Sequence, residues 1–386
     1  MTRDPLFDDL DLADLALRPG IKWRQAGLGN VAAWVADMDF APPQPVMDAL
    51  VDLVRGGDLG YPEWLLTGTP LREAFAARMS ARYGWAVPAD EVREHTDLIQ
   101  GVQMVLHLAT SPGDGVAVHT PGYPPFLATV EEMGRKRVDV RVRRTADGWD
   151  PDLAALDDAA SGCRVLLLVN PHNPTGRVLT REELSAIADI ARRHDLLVIS
   201  DEIHAELVHA PHVHVPFASL GADVAARTVT LNSASKAFNL AGLHCAVGHW
   251  GPPRLRAALG AHPSALFGGV SSLSVAATLA AWEHGDDWQR RVQEVLRRNR
   301  DRVAAWLARR GGDDPVPEAT YLYWFAASTL ELRTDDVVGT VTRDARVRLD
   351  GGPGFGPGHE GMLRLNLATA EPVLDELLRR LDTLRD

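Results

Sequence analysis

The chain has 386 residues, 46% hydrophobic and 24% charged, with a net charge of −12 from 40 basic and 52 acidic side chains. That length exceeds one ordinary core and suits about two domains of a soluble protein. No basic stripe offers a footprint for nucleic acid, no apolar run approaches the roughly 20 residues of a membrane span, and two cysteines make no disulfide framework.

The acidic start, "MTRDPLFDDLDLADL", lacks a signal-peptide core, so a cytoplasmic protein is expected. Pro42, Pro43 and Pro45 then separate an N-terminal arm from a helix near 46–55. "TPLREAFAARMSARYGW" predicts a helix from about Thr69 to just before Gly84. "GVQMVLHLAT" reads as a helix opened by Gly101, leading through a turn to the strand "GVAVHT". Residues 165–169 form a continuous apolar strand. The next helix is announced by a capping box, Thr180 with Glu183, and by the stripe Leu184, Ile187, Ile190 and Ala191. Residues 196–200 are the following strand. Strand, helix and strand with wholly apolar strands predict a parallel sheet buried on both faces. Functional groups in such sheets gather past the carboxyl ends of strands. Two polar clusters stand there, "NPHNPTG" (170–176) and "DEIH" (201–204). Beyond Pro252 the chain turns helical, and from Ala319 short strands precede a final helix from Glu371. The expected division is an arm, 1–45, that joins the small domain, a large domain, 46–280, and a small C-terminal domain, 281–386.

Arginine carries almost all the basic charge; the three lysines are Lys22, Lys136 and Lys236. A buried lysine can become a neutral amine, whereas an arginine cannot. Lys236 stands in "LNSASKAFNL", preceded by Ser233 and Ser235. Asp201 follows one buried strand and Asn173 the other. Gly101, Val102 and Gln103 open a helix, Tyr123 lies on the turn "PGYPPF", and Arg364 lies in "GMLRLNLAT". Each is ordinary alone: Ser-x-x-Lys is mostly a surface pattern, and Asp after a strand mostly a turn residue. Together they meet the needs of pyridoxal phosphate. That cofactor asks for an amine to form a Schiff base, a carboxylate at its ring nitrogen, helix-terminal amides for phosphate and an aromatic face. An amino-acid substrate adds an arginine fork for its carboxylate.

On "WVADMDF", "GYPEW", "PGYPPF", "NPHNPTGRV", "SDEIHAEL", "VPFASL", "SASKAFNLAGL", "WEHGDDW" and "RLNLAT", the chain resembles the fold-type I pyridoxal phosphate enzymes of the aspartate aminotransferase superfamily. Within them it is similar to the MalY/PatB group of cystathionine β-lyases (C–S lyases), from about Lys22 to Thr369. The resemblance implies an α/β fold, with a large domain built on a mostly parallel sheet flanked by helices and a smaller α+β domain. It implies β-elimination from cystathionine or another cysteine S-conjugate, giving thiol, pyruvate and ammonia. Lys236 would form the Schiff base and remove the Cα proton. Asp201 would face the ring nitrogen and Asn173 the ring oxygen O3′, with His204 where many relatives place a tyrosine. Tyr123 would stack on the ring. Gly101, Val102, Gln103, Ser233 and Ser235 would hold phosphate. Tyr61 would reach the neighbouring subunit's phosphate and substrate, which implies a homodimer with shared active sites. Arg364 would hold the substrate carboxylate. One departure is "IQGVQ" where "TPGVV" is expected, which brings Gln100 and Gln103 near the cofactor and leaves the fate of the substrate open.

Other readings give way or stay as rivals. Ser233-x-x-Lys236 also matches the first box of penicillin-binding enzymes, but no Lys-Thr-Gly accompanies it. His204, His209, His212 and His214 suggest zinc by spacing, but no cysteine or acidic ligand completes a convincing tetrad, so no metal is expected. The glycine-rich 351–361 lacks a Walker lysine and reads as a loop at the substrate entrance. An aminotransferase, or a natural-product enzyme that decarboxylates or oxidatively deaminates a cysteine conjugate, would use the same lysine. A regulatory protein on the same fold is the rival from another class.

Overall fold

The computed structural model describes residues 4–146, 148–263, 266–332 and 334–384. Seven strands form the central sheet: β1 (Val92–His95), β2 (Gly115–Thr120), β3 (Lys136–Arg141), β4 (Cys163–Val169), β5 (Leu197–Asp201), β6 (Thr228–Asn232) and β7 (Ala246–Trp250). Their spatial order is β1-β7-β6-β5-β4-β2-β3. The strands from β3 to β6 run parallel, and β7 is antiparallel to both its neighbours.

The apolar run in β4 is continuous because successive side chains enter two different cores. Val165 and Leu167 pack on one face with Leu98, Val102 and Val105 of α1 (Leu98–Ala109). Leu166 and Leu168 pack on the other with Leu184, Ile187, Ile190 and Ala191 of α2 (Arg181–Arg193). The expected capping box is present: Thr180 accepts from the Glu183 amide, and Glu183 reaches back to the Thr180 amide at 2.7 Å. The helix expected to end before Gly84 spans Leu71–Tyr83, and Gly84 takes the left-handed position past it (φ 64).

A second, three-stranded antiparallel sheet has the order β8-β10-β9, from β8 (Leu322–Ala326), β9 (Asp350–Gly351) and β10 (Met362–Asn366). The N-terminal arm joins it where the Asn366 amide of β10 donates to the Ala33 carbonyl at 2.9 Å, and Val31 pairs with Val347 in a separate short parallel bridge. The arm's Phe7 meets Phe40 edge-on at 5.0 Å, and Trp288 at 5.6 Å, the latter on α3 (Asp286–Arg309). The final helix is α4 (Glu371–Leu381). Among the described residues no helix is long and apolar enough to cross a membrane.

Gly176 closes the loop after β4 where it meets 317–319. Its φ is +72, and its carbonyl accepts from the amides of Glu318 (3.0 Å) and Ala319 (2.9 Å). An added Cβ would sit 2.4 Å from Pro317 Cβ. Gly176→Ala is therefore expected to cost about 1–3 kcal/mol, read as a melting temperature lower by a few degrees. An unchanged melting temperature would mean that Pro317 yields freely.

Candidate active site

A cavity of about 230 Å³ opens at the carboxyl ends of β4, β5 and β6. Asp201 ends β5, and past it the chain turns so that the Ile203 amide donates to Asp201 Oδ1 at 3.0 Å. Burial pushes its carboxyl up to about 7, against that hydrogen bond; Glu202 adds to the rise and Lys236 opposes it. Lys236 sits on a single helical turn, Ala234–Ala237, just past β6. Ser233 caps the turn: its Oγ accepts from the Ser235 amide (3.0 Å) and donates to the Cys245 carbonyl (2.5 Å). Lys236 Nζ donates to the Ala36 carbonyl at 2.7 Å, and the buried Tyr321 hydroxyl donates to the same oxygen at 2.9 Å. Burial lowers the amine below its ordinary value, Asp37 opposes this, and Arg364 lowers it further. Such an amine sheds its proton more easily, as a nucleophile or a base must.

Asn173 lies in the loop after β4, and its Oδ1 accepts from Arg364 Nη1 at 2.9 Å. Arg364, on β10, is buried and spans both sheets. Its Nη2 donates to Asp350 Oδ2 at 2.6 Å and to the Trp34 carbonyl at 3.1 Å, and the guanidinium lies 4.9 Å above the Phe355 ring. His204 is buried, with its ring edge-on to Tyr321 at 6.3 Å, and burial holds the imidazole near 3, far below its ordinary value. Tyr123 sits at the start of the helix Pro124–Glu132, edge-on to Phe126 at 5.2 Å.

Lys236, Asp201, Asn173, His204, Tyr123, Ser233 and Ser235 thus line one cavity, and Arg364 adjoins it through Asn173. Gly101, Val102, Gln103 and Tyr61 do not line it. The expectation that Gly101 opens the helix is corrected: α1 opens at Leu98, capped by Asp97, whose side chain accepts from the Gln100 amide at 2.8 Å. Thr96, Asp97, Leu98 and Ile99 therefore face the cavity. Gly101 is a glycine for another reason, since a Cβ there would lie 2.9 Å from Leu231 Cδ2 of β6. Val102 is core, and Gln103 faces solvent. Gln100 braces the turn: Oε1 accepts from the Thr96 amide at 2.8 Å and Nε2 donates to the Phe267 carbonyl at 2.5 Å. Tyr61 is 96% exposed, among exposed Leu59, Leu65 and Leu66.

Sequence reasoning missed Asp97, His244, Ala36 and Cys245 as lining residues. Only Asp97 carried a local signal, as a capping residue three before Gln100. The histidines considered for zinc are engaged elsewhere: His209 Nε2 meets the Thr320 carbonyl (2.9 Å), and His214 Nε2 meets Glu202 Oε2 (3.0 Å). Among the described residues no group of three His, Cys, Asp or Glu is placed to hold a metal ion. The 351–361 loop packs inward, with Phe355 fully buried and its carbonyl accepting from the Gly122 amide at 2.8 Å.

A lysine amine facing a buried carboxylate, past the carboxyl ends of a doubly wound sheet, with a second small sheet closing over it, is the arrangement of a fold-type I pyridoxal phosphate enzyme. The chain belongs to the aminotransferase class I and II family, whose model matches residues 35–381. It is 32% identical to cystathionine beta-lyase PatB of Bacillus subtilis, over 94% of this chain and 95% of that one. Its fold matches that of cystalysin from Treponema denticola, whose crystal structure contains pyridoxal 5′-phosphate, with a TM-score of 0.91 and 26% identity over 100% of this chain and 99% of that one. It also matches N-succinyldiaminopimelate aminotransferase from Mycobacterium tuberculosis, with a TM-score of 0.86 and 28% identity over 97% and 96%. The cofactor is pyridoxal phosphate, and the lining suits it. An amine, a carboxylate and a serine pair converge on one space, and two buried polar atoms beside it, His204 Nδ1 and Arg364 Nε, have no hydrogen-bond partner in the protein.

Proposed function

We propose that this chain is a carbon–sulfur β-lyase that, with water, converts cystathionine or another cysteine S-conjugate into a thiol, pyruvate and ammonia. The observation that carries the chemistry is the buried Lys236 amine, its proton loosened by burial, in one cavity with Asp201. The similarity to PatB and cystalysin favours sulfur as the leaving group. Bound pyridoxal phosphate supplies an aldehyde for the substrate amine and a sink for the charge left on Cα. Lys236 would hold the cofactor through Nζ and would take the Cα proton on that same atom. Asp201 holds a negative charge against the ring nitrogen. Asn173 and His204 would hold the ring oxygen, Tyr123 would cover the ring, and Ser233 and Ser235 with the Leu98 and Ile99 amides would hold the phosphate. Arg364 forks onto the substrate carboxylate, exchanging Asp350 for it.

The assembly belonging to this reading is a cytoplasmic homodimer with shared active sites. Exposed Tyr61, beside Leu59, Leu65 and Leu66, supports a partner surface there, where Tyr61 would serve the partner's phosphate and substrate. The domain division belonging to it is arm 1–45 with small domain 281–386, around large domain 46–280. The Val31–Val347 pairing supports the first part.

The test is to mix the holoenzyme with an S-alkyl cysteine and assay thiol and pyruvate in equal amounts. Neither product, with a keto acid or aldehyde that retains sulfur, would sink the lyase reading. A keto acid with the amino group transferred to the cofactor would establish transamination, the reading that the similarity to the M. tuberculosis aminotransferase favours.

Arg364→Lys keeps the charge but loses the fork. KM for the S-conjugate is expected to rise roughly 10- to 100-fold, with a smaller change in kcat. Steady-state kinetics beside the decarboxylated analogue checks this, since the analogue has no carboxylate to lose contact with.

A further inference from the structure

An arginine that is to grip a substrate carboxylate must offer two donors side by side, and those of Arg364 are already engaged. A guanidinium has five N–H groups on three nitrogens. Nη2 uses both of its own, on Asp350 Oδ2 (2.6 Å) and on the Trp34 carbonyl (3.1 Å). Nη1 gives one to Asn173 Oδ1 (2.9 Å), and the buried Nε has no hydrogen-bond partner in the protein. Each two-donor edge of the group, Nη1 with Nη2 or Nε with Nη2, therefore contains a nitrogen that is full. A carboxylate entering as a fork has to displace one of the two acceptors on Nη2.

Asp350 is the one placed to leave. It lies directly opposite Arg364 across β9 and β10, so the two side chains share a face. β9 is a two-residue edge strand. The Asp350 side chain is 31% exposed, against 3% for Arg364, so a released carboxylate meets water. Its other oxygen, Oδ1, keeps the Gly351 amide at 3.0 Å. Trp34 offers a neutral backbone oxygen that does not repel an anion, whereas an incoming carboxylate beside Asp350 would put two like charges on one guanidinium. With Asp350 gone, Arg364 stays in place through Asn173, the Trp34 carbonyl and the Phe355 ring, 4.9 Å from the guanidinium.

We propose that Asp350 is a stand-in for the substrate carboxylate: it occupies Arg364 while the site is empty and is expelled when an amino acid binds. This rests on the reading of Arg364 as the partner of the substrate carboxylate. Asp350 then sets specificity by competition. A ligand with a carboxylate replaces the charge it displaces, whereas an amine without one leaves the internal pair intact. Every amino acid binds more weakly than an open Arg364 would allow, because only the released state accepts it.

The experiment titrates the holoprotein and its Asp350→Asn and Arg364→Lys variants with L-alanine and with ethylamine, read by the change in Schiff-base absorbance. L-Alanine has a carboxylate and no sulfur to expel; ethylamine is the same skeleton without the carboxylate. Asparagine keeps the size of Asp350 and loses its charge. Asp350→Asn is expected to bind L-alanine about tenfold more tightly, with ethylamine unchanged. A partner that only oriented Arg364 gives the opposite sign, so weaker L-alanine binding in Asp350→Asn would overturn the proposal. Unchanged L-alanine binding overturns it too, as does an equal gain for both ligands, which reports the cavity and not the carboxylate. If Asp350→Asn does not fold, Asp350→Ser is read in the same way, and failure of both overturns the proposal, because the carboxylate then holds the sheet. Arg364→Lys separates this inference from the reading beneath it. L-Alanine binding unmoved there removes the role of Arg364, whereas weakened binding there with no gain in Asp350→Asn removes only the stand-in.

Discussion

Replacing Lys236 by alanine is expected to leave a folded protein that holds no cofactor covalently and has no measurable turnover. The lysine stem is buried, and its amine makes one hydrogen bond, to the Ala36 carbonyl. Tyr321 still donates to that carbonyl at 2.9 Å in the variant, so the arm keeps an anchor and the fold survives. The chemistry does not. Loss of the base alone costs about 10²- to 10⁴-fold, and loss of the nucleophile that exchanges with the substrate amine adds to it. The check is borohydride treatment followed by intact mass measurement, together with thiol release. An adduct of reduced cofactor that persists in Lys236→Ala would refute the assignment. Lys22, the arm's own buried lysine, would not explain it, because it is tied to Asp39 at 3.0 Å.

Asp201→Asn is expected to act in opposite directions on stability and on catalysis. Without cofactor, burial holds the carboxyl at about 7, up from 3.8, so the folded chain resists ionising it while the unfolded chain does not. The sign follows: the folded-state value is raised, so the carboxyl costs no stability while it is protonated in both states. The cost grows as pH rises from about 4 to about 7 and then levels off. At about 1.36 kcal/mol per pH unit it reaches on the order of 4 kcal/mol. Asparagine carries no such cost. Cofactor-free Asp201→Asn is therefore expected to melt higher than the parent at pH 8 and alongside it near pH 4. The holoenzyme shows the reverse, with cofactor held more weakly and turnover down by about 10²- to 10³-fold. Parallel melting curves across pH would contradict the buried, strained carboxylate.

The central strands and α2 were legible because their cues are local. An apolar run between polar clusters marks a strand buried on both faces, and Thr180 with Glu183 marks a helix start. Lys236 was legible for a compositional reason, since a chain built on arginine keeps few lysines. The start of α1 was misread because Gly101 looks like an opening residue. Its true cause is the approach of Leu231, about 130 residues later in the chain, which no local pattern can carry. The Ala36 carbonyl, 200 residues from Lys236, was equally invisible, because a backbone acceptor has no residue-type signature. The pairing of His214 with Glu202 looked like metal spacing because four histidines close in sequence suggest one site, while the fold sends them to different partners.

The Ala36 carbonyl carries a consequence for motion. Two donors meet on it, one from the turn after β6 and one from Tyr321, just before β8. The amine is one of them only while it is free to donate. In the proposed reaction Lys236 would leave this carbonyl whenever its amine takes part in the chemistry, and Tyr321 would then be the donor that stays on it. On the proposed chemistry, this one bond between arm and core is broken and remade once per turnover, while Tyr321 and the Asn239 and Asn366 side chains keep the arm in place.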